Sequence, residues 1–234
     1  TKLDEAKSEF ISIASHQLRA PLTGIRGYLS MLREGTFGRL ETRVKEAIAK
    51  VDQAANTLLR MVEDLLDLSK IEAGKMPYNY SVVDFHEVVQ AAIDIFSNAA
   101  QKKNLGLTFE KFSAPLMVKV DREKVTSVVG NIIDNAILYT DHGFIHIAHR
   151  KTDDHLLLAI EDTGVGLTSD EKTDIFIRFK RGEGSTKRHI GGLGLGLYIA
   201  RKVLQDHAGQ IWVDSPGKGK GSTFYISLPV IKNA

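Results

Sequence analysis

Residues 156–166 read Leu-Leu-Leu-Ala-Ile-Glu-Asp-Thr-Gly-Val-Gly, an apolar strand that runs into a glycine turn after Asp162. Two more glycine clusters follow, Gly191-Gly-Leu-Gly-Leu-Gly196 at the start of a helix and Gly217-Lys-Gly-Lys-Gly-Ser-Thr223. Backbone N–H groups in such turns, and the dipole at a helix N-terminus, attract phosphate. A single glycine pair is a weak signal because turns use glycine generally. Three ordered clusters predict a site for a phosphate-bearing ligand.

The segment Asn131-Ile-Ile-Asp-Asn135 adds a polar helical face. The i, i+4 spacing places Asn131 and Asn135 on the same side of a helix. There a carboxamide oxygen is a suitable ligand for Mg²⁺ between phosphates. Taken alone, the two asparagines are equally compatible with ordinary capping or core amides.

The segments around these clusters predict a two-layer α/β sandwich, because helices and short strands alternate. Asp84-Phe-His-Glu87 has the pattern of a capping box. Helices are expected from Asp84 to about Gln101, from Asp121 to Tyr139 and from Leu195 to Asp206. The expected strands are Leu105–Phe109, Leu116–Val120, Phe144–Arg150, Leu156–Glu161, Ile211–Asp214 and Thr223–Leu228.

Residues 1–74 have a different pattern, with apolar residues spaced alternately four and three apart. One run is Leu18, Leu22, Ile25, Leu29 and Leu32, and the other is Val44, Ile48, Val51, Ala55, Leu58, Val62 and Leu65. This is the spacing of a coiled-coil seam. Residues 34–41 contain two glycines and predict the turn of an antiparallel helical hairpin. Two such helices cannot bury their stripes against each other alone, so the hairpin predicts a homodimeric four-helix bundle.

Composition excludes several classes of function. The 234 residues carry a formal net charge of +2, which argues against a nucleic-acid-binding surface. The absence of cysteine excludes disulfide frameworks and thiolate chemistry. No apolar run reaches the roughly 18 residues that span a bilayer, so we expect no membrane segment in this sequence. Because it begins without methionine and within a helical pattern, we expect it to be part of a longer protein.

Together the motifs resemble those of sensor histidine kinases, whose nucleotide domain belongs to the GHKL ATPase superfamily. The matching pattern in the second half is Asn131-x-x-x-Asn135, Asp162-x-Gly164-x-Gly166, Phe176-x-x-Phe179 and Gly192-x-Gly194-x-Gly196. In the first half, Ser15-His-Gln-Leu-Arg-Ala-Pro-Leu22 resembles the phosphoacceptor box, usually His-Glu-Leu-Arg-Thr-Pro-Leu. Both halves of the chain are thus covered in the family's order.

The resemblance implies an ATP and Mg²⁺ site. Asp162 would accept a hydrogen bond from the adenine amino group, Asn135 would hold Mg²⁺, and Asn131 would support the phosphates. Tyr139 would pack on adenine, and residues 181–190 would form a mobile lid whose near edge Phe176 and Phe179 anchor. The rest of the implied nucleotide-binding set is Gly164, Gly166, Gly192, Gly194, Gly196 and Thr223, with Arg178 and Arg181 as phosphate-neutralising cations.

The resemblance also implies that His16 is phosphorylated by ATP and passes the phosphoryl group to an aspartate of a response regulator receiver domain. The homodimer would form through residues 1–74. An upstream sensor domain would lie outside this chain, and the core would function on the cytoplasmic side of a protein that is membrane-attached or cytoplasmic. The expected domains are 1–74 for dimerisation and phosphotransfer, 75–79 as a linker and 80–234 for ATP binding.

Three residues depart from the family pattern. Gln17 replaces the acidic residue taken to be the base, and its amide orients an imidazole but cannot accept a proton. Leu138 replaces a cation that commonly reaches the phosphates. Ala20 replaces a polar residue thought to position water for dephosphorylation of the regulator. We therefore expect slow autophosphorylation and weak phosphatase activity.

Two alternatives remain open at this stage. A nucleotide-binding scaffold or pseudokinase would bind ATP without useful transfer, as Gln17 and Leu138 would allow. A GHKL ATPase with a conformational cycle would have no use for the segment around His16. His146 and His149 face opposite sides of a predicted strand, so with His142 they are not expected to share a metal.

Overall fold

We describe a computed structural model that covers residues 2–110, 114–152, 154–180 and 192–231, without the side chains of residues 2–12 and 16. The chain forms two compact units. The first contains residues 1–76, and the second contains most of the chain from Pro77 onward.

The first unit is a helical hairpin, as predicted. Helix α1 spans Lys2–Glu34 and helix α2 spans Thr42–Glu72. The helices are antiparallel, since Leu22 packs on Val62 and Leu66 while Leu29 packs on Ile48 and Ala55.

Glycine ends both helices of the hairpin. Gly35 follows α1 with φ +82°, and Gly74 follows α2 with φ +63°. The amide of Gly74 donates to the carbonyl of Ile71 at 3.0 Å and that of Lys75 to the carbonyl of Lys70 at 2.9 Å. These two bonds form a Schellman motif, which ends α2 at this glycine.

The apolar residues of the hairpin fall into two sets of heptad positions, here called columns, which differ in burial. One column is buried between the helices and comprises Leu22, Leu29, Ile48, Ala55 and Val62. The other is between 42% and 51% exposed and comprises Leu18, Ile25, Val44, Val51 and Leu58. Members of a column are seven residues apart, so a single hairpin buries only one of the two heptad positions on each helix.

The second unit contains seven strands and four helices in its described part. In chain order these are β1 (Tyr80–Asp84), α3 (Phe85–Lys102), β2 (Gly106–Phe109), β3 (Met117–Asp121), α4 (Arg122–Tyr139), β4 (Phe144–Lys151), β5 (His155–Asp162), α5 (Ser169–Asp174), α6 (Gly196–Asp206), β6 (Gln210–Asp214) and β7 (Ser222–Pro229). The predicted elements are confirmed to within one or two residues. Strand β1 and helix α5 were not predicted.

The strands form a five-stranded sheet in the order β2-β4-β5-β7-β6 and a small antiparallel pair, β1 with β3. In the larger sheet only β2 and β4 are parallel. Alternate side chains of β4, β5 and β7 are buried, among them Ile147, Leu158 and Ile226. They share one core with the apolar faces of α3, α4 and α6. One sheet face is covered by helices, so the predicted two-layer α/β sandwich is confirmed.

Side-chain caps begin three of the helices. Asp84 and Asp121 cap α3 and α4. The expected capping box at Asp84 is not formed as predicted, because its carboxylate accepts from the amide of His86, two residues on, while Glu87 lies 3.2 Å from Arg122. The reciprocal box is instead formed at α5 by Thr168 and Glu171.

The start of the second unit is hydrogen-bonded to residues at the end of α6 and just before α4. The Tyr78 hydroxyl donates to the Asp206 carboxylate at 2.7 Å, and the Asn79 amide donates to the Asp121 carboxylate at 2.8 Å. The buried His207 accepts from the Asp121 amide at 2.9 Å. Residues 78 and 79, expected in the linker, therefore have fixed contacts within the α/β unit.

The exposed glycines of α1 generate a stability prediction. Gly24 lies inside the helix, and a Cβ there would meet nothing within 4 Å. Because glycine costs about 0.5–1 kcal/mol relative to alanine within a helix, we expect Gly24→Ala to slow amide hydrogen exchange in α1. Gly35→Ala is the matched control and should accelerate exchange, since φ is +82° there. Faster exchange in Gly24→Ala would contradict an open surface at this position.

Candidate functional site

The candidate site is built around the carboxylate of Asp162, at the end of β5. The side chain is only 5% exposed. One oxygen, Oδ1, accepts from the Gly164 amide at 2.8 Å, and Oδ2 accepts from the Ser222 hydroxyl at 2.7 Å. Burial raises the pKa of Asp162 above its ordinary value, and the hydrogen bonds from Ser222 and Gly164 oppose that rise. The carboxylate is thus a buried acceptor supported by fixed donors.

The turn after Asp162 is in contact with the third glycine cluster. Gly219 donates to the carbonyl of Val165 at 2.7 Å, and Gly221 donates to the carbonyl of Gly164 at 3.0 Å. A Cβ on Gly221 would lie 2.0 Å from the Asp162 carbonyl oxygen. No L side chain fits there, so this close approach explains the need for glycine at 221.

Ser215 connects the two loops. Its hydroxyl donates to the carbonyl of Gly221 at 2.6 Å and accepts from the amide of Leu167 at 2.9 Å. Beside it, Lys172 lies 3.3 Å from Asp214, and the hydrogen bond from Lys172 lowers the pKa of that exposed carboxyl. Lys218 also pairs with Glu171. The turn that carries Asp162 is therefore held from several sides.

Helix α4 brings Asn131 against the N-terminus of α6. A Cβ on Gly196 would lie 2.9 Å from both Nδ2 and Oδ1 of Asn131. Within the described residues, the buried Nδ2 of Asn131 has no hydrogen-bond partner. Asn135 is one turn further along the same face and is partly exposed. A buried polar atom without a protein partner is unusual in a folded protein, so Asn131 Nδ2 is a candidate ligand contact.

Tyr139 places the end of α4 against the Asp162 turn. Its carbonyl accepts from the amide of Val165 at 3.1 Å. A Cβ on Gly164 would lie 2.5 Å from that same oxygen and 2.7 Å from Asp162 Oδ1. The structure therefore brings Tyr139, Asp162 and Gly164 together at the end of α4, and Asn131 and Gly196 together two turns earlier on the same helix.

Other predicted site residues have different surroundings. Thr223 lies in β7 opposite Glu161 and next to the Asp162 donor Ser222. Gly166 has φ +62°, and its Cβ position lies 2.1 Å from the carbonyl oxygen of Gly217. Gly194 has φ +70°, and a Cβ on Gly192 would meet nothing within 4 Å.

The two predicted phenylalanines differ from each other. Phe176 is buried and packs edge-on against Phe224 at 6.5 Å between ring centroids. Phe179 is exposed, with φ +63°, which is uncommon for an aromatic residue. Arg178 lies between them and is exposed. Arg181 and the expected lid of residues 181–190 lie outside the described residues.

On the hairpin, His16 and Gln17 lie within α1. Gln17 is exposed, whereas the side chain of His16 is outside the described part of the structure. Ala20, one turn after His16, is also exposed.

His146 and His149 both have neighbours on or beside the sheet. His146 contacts Thr108 at 2.9 Å and Glu110 at 3.3 Å. Burial lowers the pKa of His149, against an opposing effect of Glu110. Among the described residues, no three His, Cys, Asp or Glu side chains are grouped as a metal site.

Two family models match the chain. Residues 6–74 match the His Kinase A (phospho-acceptor) domain, and residues 120–232 match the histidine kinase-, DNA gyrase B- and HSP90-like ATPase domain. The chain belongs to the sensor histidine kinase family. Its two units thus correspond to a histidine kinase catalytic core.

Similar proteins extend over nearly the whole sequence. The sensor protein GacS of Pseudomonas syringae is 33% identical over 97% of this chain, and the sensor histidine kinase WalK of Bacillus subtilis is 32% identical over 97%. The chain spans 25% of GacS and 37% of WalK.

Solved structures have the same fold. The histidine kinase AdeS of Acinetobacter baumannii matches with a TM-score of 0.64 at 26% identity, over 93% of this chain and 98% of AdeS. Full-length ShkA in complex with AMPPNP matches with a TM-score of 0.76 at 22% identity, over 97% of this chain and 46% of ShkA.

None of the helices in the described residues combines the length and the apolar character that a bilayer crossing requires.

Ser222, the neighbour of Thr223, was missed by the sequence analysis. The sequence shows only that Ser222 is a hydroxyl residue at the end of a glycine cluster. Nothing in the sequence relates it to Asp162. The Ser222 hydroxyl donates to Oδ2 and so lowers the pKa of Asp162. Without this hydrogen bond, the rise in pKa that burial causes is less opposed. We expect Ser222→Ala to raise the pKa of the Asp162 carboxyl further, measured by carboxyl ¹³C NMR titration.

The control for this prediction is Ser227→Ala, on the same strand, which should leave that pKa unchanged. A raised carboxyl pKa means that ionisation opposes folding. The α/β unit of Ser222→Ala should therefore lose stability, relative to the parent protein, as pH rises through the titration of Asp162. An unchanged Asp162 titration in Ser222→Ala would contradict the assigned hydrogen bond.

Proposed function

We propose that this chain is an ATP-dependent protein-histidine kinase core that phosphorylates His16 and passes the phosphoryl group to a response regulator. The observation that carries the proposal is the coexistence of a His16 phosphoacceptor match with an α/β unit built around a buried, doubly hydrogen-bonded Asp162. The proposed domains are 1–74 for phosphotransfer and dimerisation, 75–79 as linker and 80–234 for ATP binding.

The site fits an adenine nucleotide. Asp162 offers acceptor lone pairs beyond those used by Gly164 and Ser222, and the adenine amino group is a donor. Tyr139 would pack on the base, with Gly164, Gly166 and Thr223 completing the base side of the site.

The phosphate side of the proposed site lies toward Asn131, Asn135 and the α6 N-terminus. Asn131 Nδ2, buried without a protein partner, would donate to a phosphate oxygen, and Gly192, Gly194 and Gly196 would allow close backbone approach. Arg178 and Arg181 would supply positive charge.

The residues also fit a magnesium ion. The side-chain oxygen of Asn135 is a hard ligand of the type that Mg²⁺ uses beside nucleotide phosphates. Bound there, Mg²⁺ would neutralise charge on the transferring phosphoryl group.

Transfer to His16 requires a neutral imidazole with one nitrogen free to attack. The new N–P bond forms as the bond from the γ-phosphorus to its bridging oxygen breaks, and ADP leaves. The proton on the other ring nitrogen must then go to a base. Gln17 can orient that N–H but cannot take the proton. Water must therefore act as the base in place of the carboxylate that other family members have at this position, so transfer is slow.

The proposed partners follow from the family. The response regulator would dock on the hairpin and accept the phosphoryl group on an aspartate. Because Ala20 offers no hydrogen-bonding group, dephosphorylation of the regulator should be weak. A sensor domain would precede this chain, and the core would lie on the cytoplasmic side, where ATP is available.

Phosphorylation of His16 is tested by intact mass measurement after incubation with Mg-ATP. We expect one acid-labile phosphoryl group in the parent protein and none in His16→Ala. Gln17→Glu should be phosphorylated at least about tenfold faster, because proton transfer typically contributes a factor of about 10² to 10⁴. ATP binding without mass gain in either His16-containing protein would favour a pseudokinase, and label in His16→Ala would reject the site.

The proposed homodimer is supported by the exposed column of Leu18, Ile25, Val44, Val51 and Leu58. A second hairpin would bury these side chains and complete a four-helix bundle. Apolar burial contributes about 25 cal/mol per Å², so burial of this column would favour association.

We expect Val51→Glu to shift the protein to monomer in sedimentation velocity while it keeps its helical circular dichroism, because Val51 is outside the intrachain column. Lys50→Glu is the matched control, since it adds the same side chain at the neighbouring exposed position. A dimer that survives Val51→Glu would place the interface elsewhere.

A further inference from the structure

Helix α4 ends at the candidate site without a cap of its own. The last four carbonyls of a helix lack intrahelical partners, and glycine or a basic residue in the last turn commonly compensates. The last turn of α4 has no basic residue, and its C-cap is Thr140 in an extended conformation with φ −105°. The negative end of the α4 dipole therefore lies beside a buried carboxylate.

Lys103 supplies the cap from another helix. Its ammonium donates to the carbonyls of Ile137 at 2.7 Å, Leu138 at 3.1 Å and Thr140 at 3.1 Å. Three contacts use all three N–H donors of the side chain. The lysine is itself held at the end of α3, where its amide donates to the carbonyl of Ala100 at 3.1 Å.

The turn that Lys103 holds forms one wall of the Asp162 loop. Tyr139 accepts from Val165 through the carbonyl that lies between the Lys103-bonded residues Leu138 and Thr140. The Oγ1 of Thr140, fully buried and without a protein hydrogen-bond partner in the described chain, lies 2.9 Å from the Cβ position of Gly164. Asp162 Oδ1 lies 2.7 Å from that same position. A small shift of the turn thus displaces the loop that presents the carboxylate.

We infer that Lys103 is a positioning residue for base recognition: by capping α4 it sets where Tyr139 and Thr140 support the Asp162 carboxylate against the base. This inference rests on the proposed adenine site. Lys103 is outside every glycine cluster, and it acts through the backbone of α4 rather than by contact with nucleotide. Its cation at the helix C-terminus also opposes the dipole beside Asp162.

The test compares the affinities for ATP and inosine triphosphate, measured by calorimetry with Mg²⁺ present. Inosine has an oxo group where adenine has the amino group, so the ratio of the two affinities reports how well Asp162 is placed. Lys103→Met keeps the aliphatic length and removes all three donors. Lys103→Gln keeps two donors without the charge, and Lys102→Met is the matched control at the neighbouring exposed position.

We expect Lys103→Met to lower the ATP-to-inosine triphosphate affinity ratio about fivefold to tenfold, the effect of about one hydrogen bond at the base. Lys103→Gln should lower it less, and Lys102→Met should leave it unchanged. Thermal melting is recorded in parallel, because a purely structural cap would lower the melting temperature and leave the ratio intact.

An unchanged ratio in both Lys103 variants would overturn the inference, as would an equal loss in Lys102→Met. If Lys103→Met does not fold, the ratio in Lys103→Gln decides. If the parent protein prefers ATP to inosine triphosphate and the Lys103 variants have the same affinity ratio, only the role of Lys103 is rejected. A parent protein that binds neither nucleotide rejects the proposed function itself.

Discussion

A carboxylate that is removed from water must find hydrogen-bond donors in the protein, and the site around Asp162 follows from that requirement. Ser222 and Gly164 provide the donors on separate segments, so the strand end, the turn after it and the start of β7 must meet. Gly221 and Gly164 are glycines because any side chain there would collide with the backbone or with the carboxylate. The first and third glycine clusters thus allow the backbone segments to pack closely around the Asp162 carboxylate.

The second glycine cluster has a different role. At Gly196 the helix begins where a Cβ would lie 2.9 Å from the amide of Asn131, so glycine permits this close approach. The result is a side-chain amide nitrogen on α4 with no protein partner among the described residues, next to a helix N-terminus that attracts anions. In the proposed nucleotide site, base recognition and phosphate binding would therefore depend on different glycines for different physical reasons. Asp162 accepts hydrogen bonds from two protein donors, whereas Asn131 Nδ2 has no protein partner among the described residues.

The two units also depend on apolar burial to different degrees. The α/β unit has a continuous core that includes the inner faces of three strands and the apolar faces of α3, α4 and α6. Where its side chains are described, the hairpin has two small clusters, centred on Leu22 with Val62 and on Leu29 with Ile48. In the part of the hairpin whose side chains are described, one of the two heptad columns is exposed in a single chain, which supports the proposed homodimer. In the proposed kinase, phosphotransfer and assembly would therefore involve the same pair of helices.

Periodicity and turn residues in the sequence were enough to determine both helices of the hairpin, most elements of the sandwich and the family motifs, because these are local patterns with a period of 3.6 or 2. Strand β1 was missed because its burial pattern is mostly exposed, and its pairing with β3 joins residues about 40 apart. The sequence also could not divide the heptad stripe into buried Val62 and exposed Leu58, since both are apolar at equivalent spacing. Ser222, Ser215 and Lys103 were decided by tertiary structure alone: each acts on a segment distant in the chain, and only packing brings a donor to the acceptor that it stabilises.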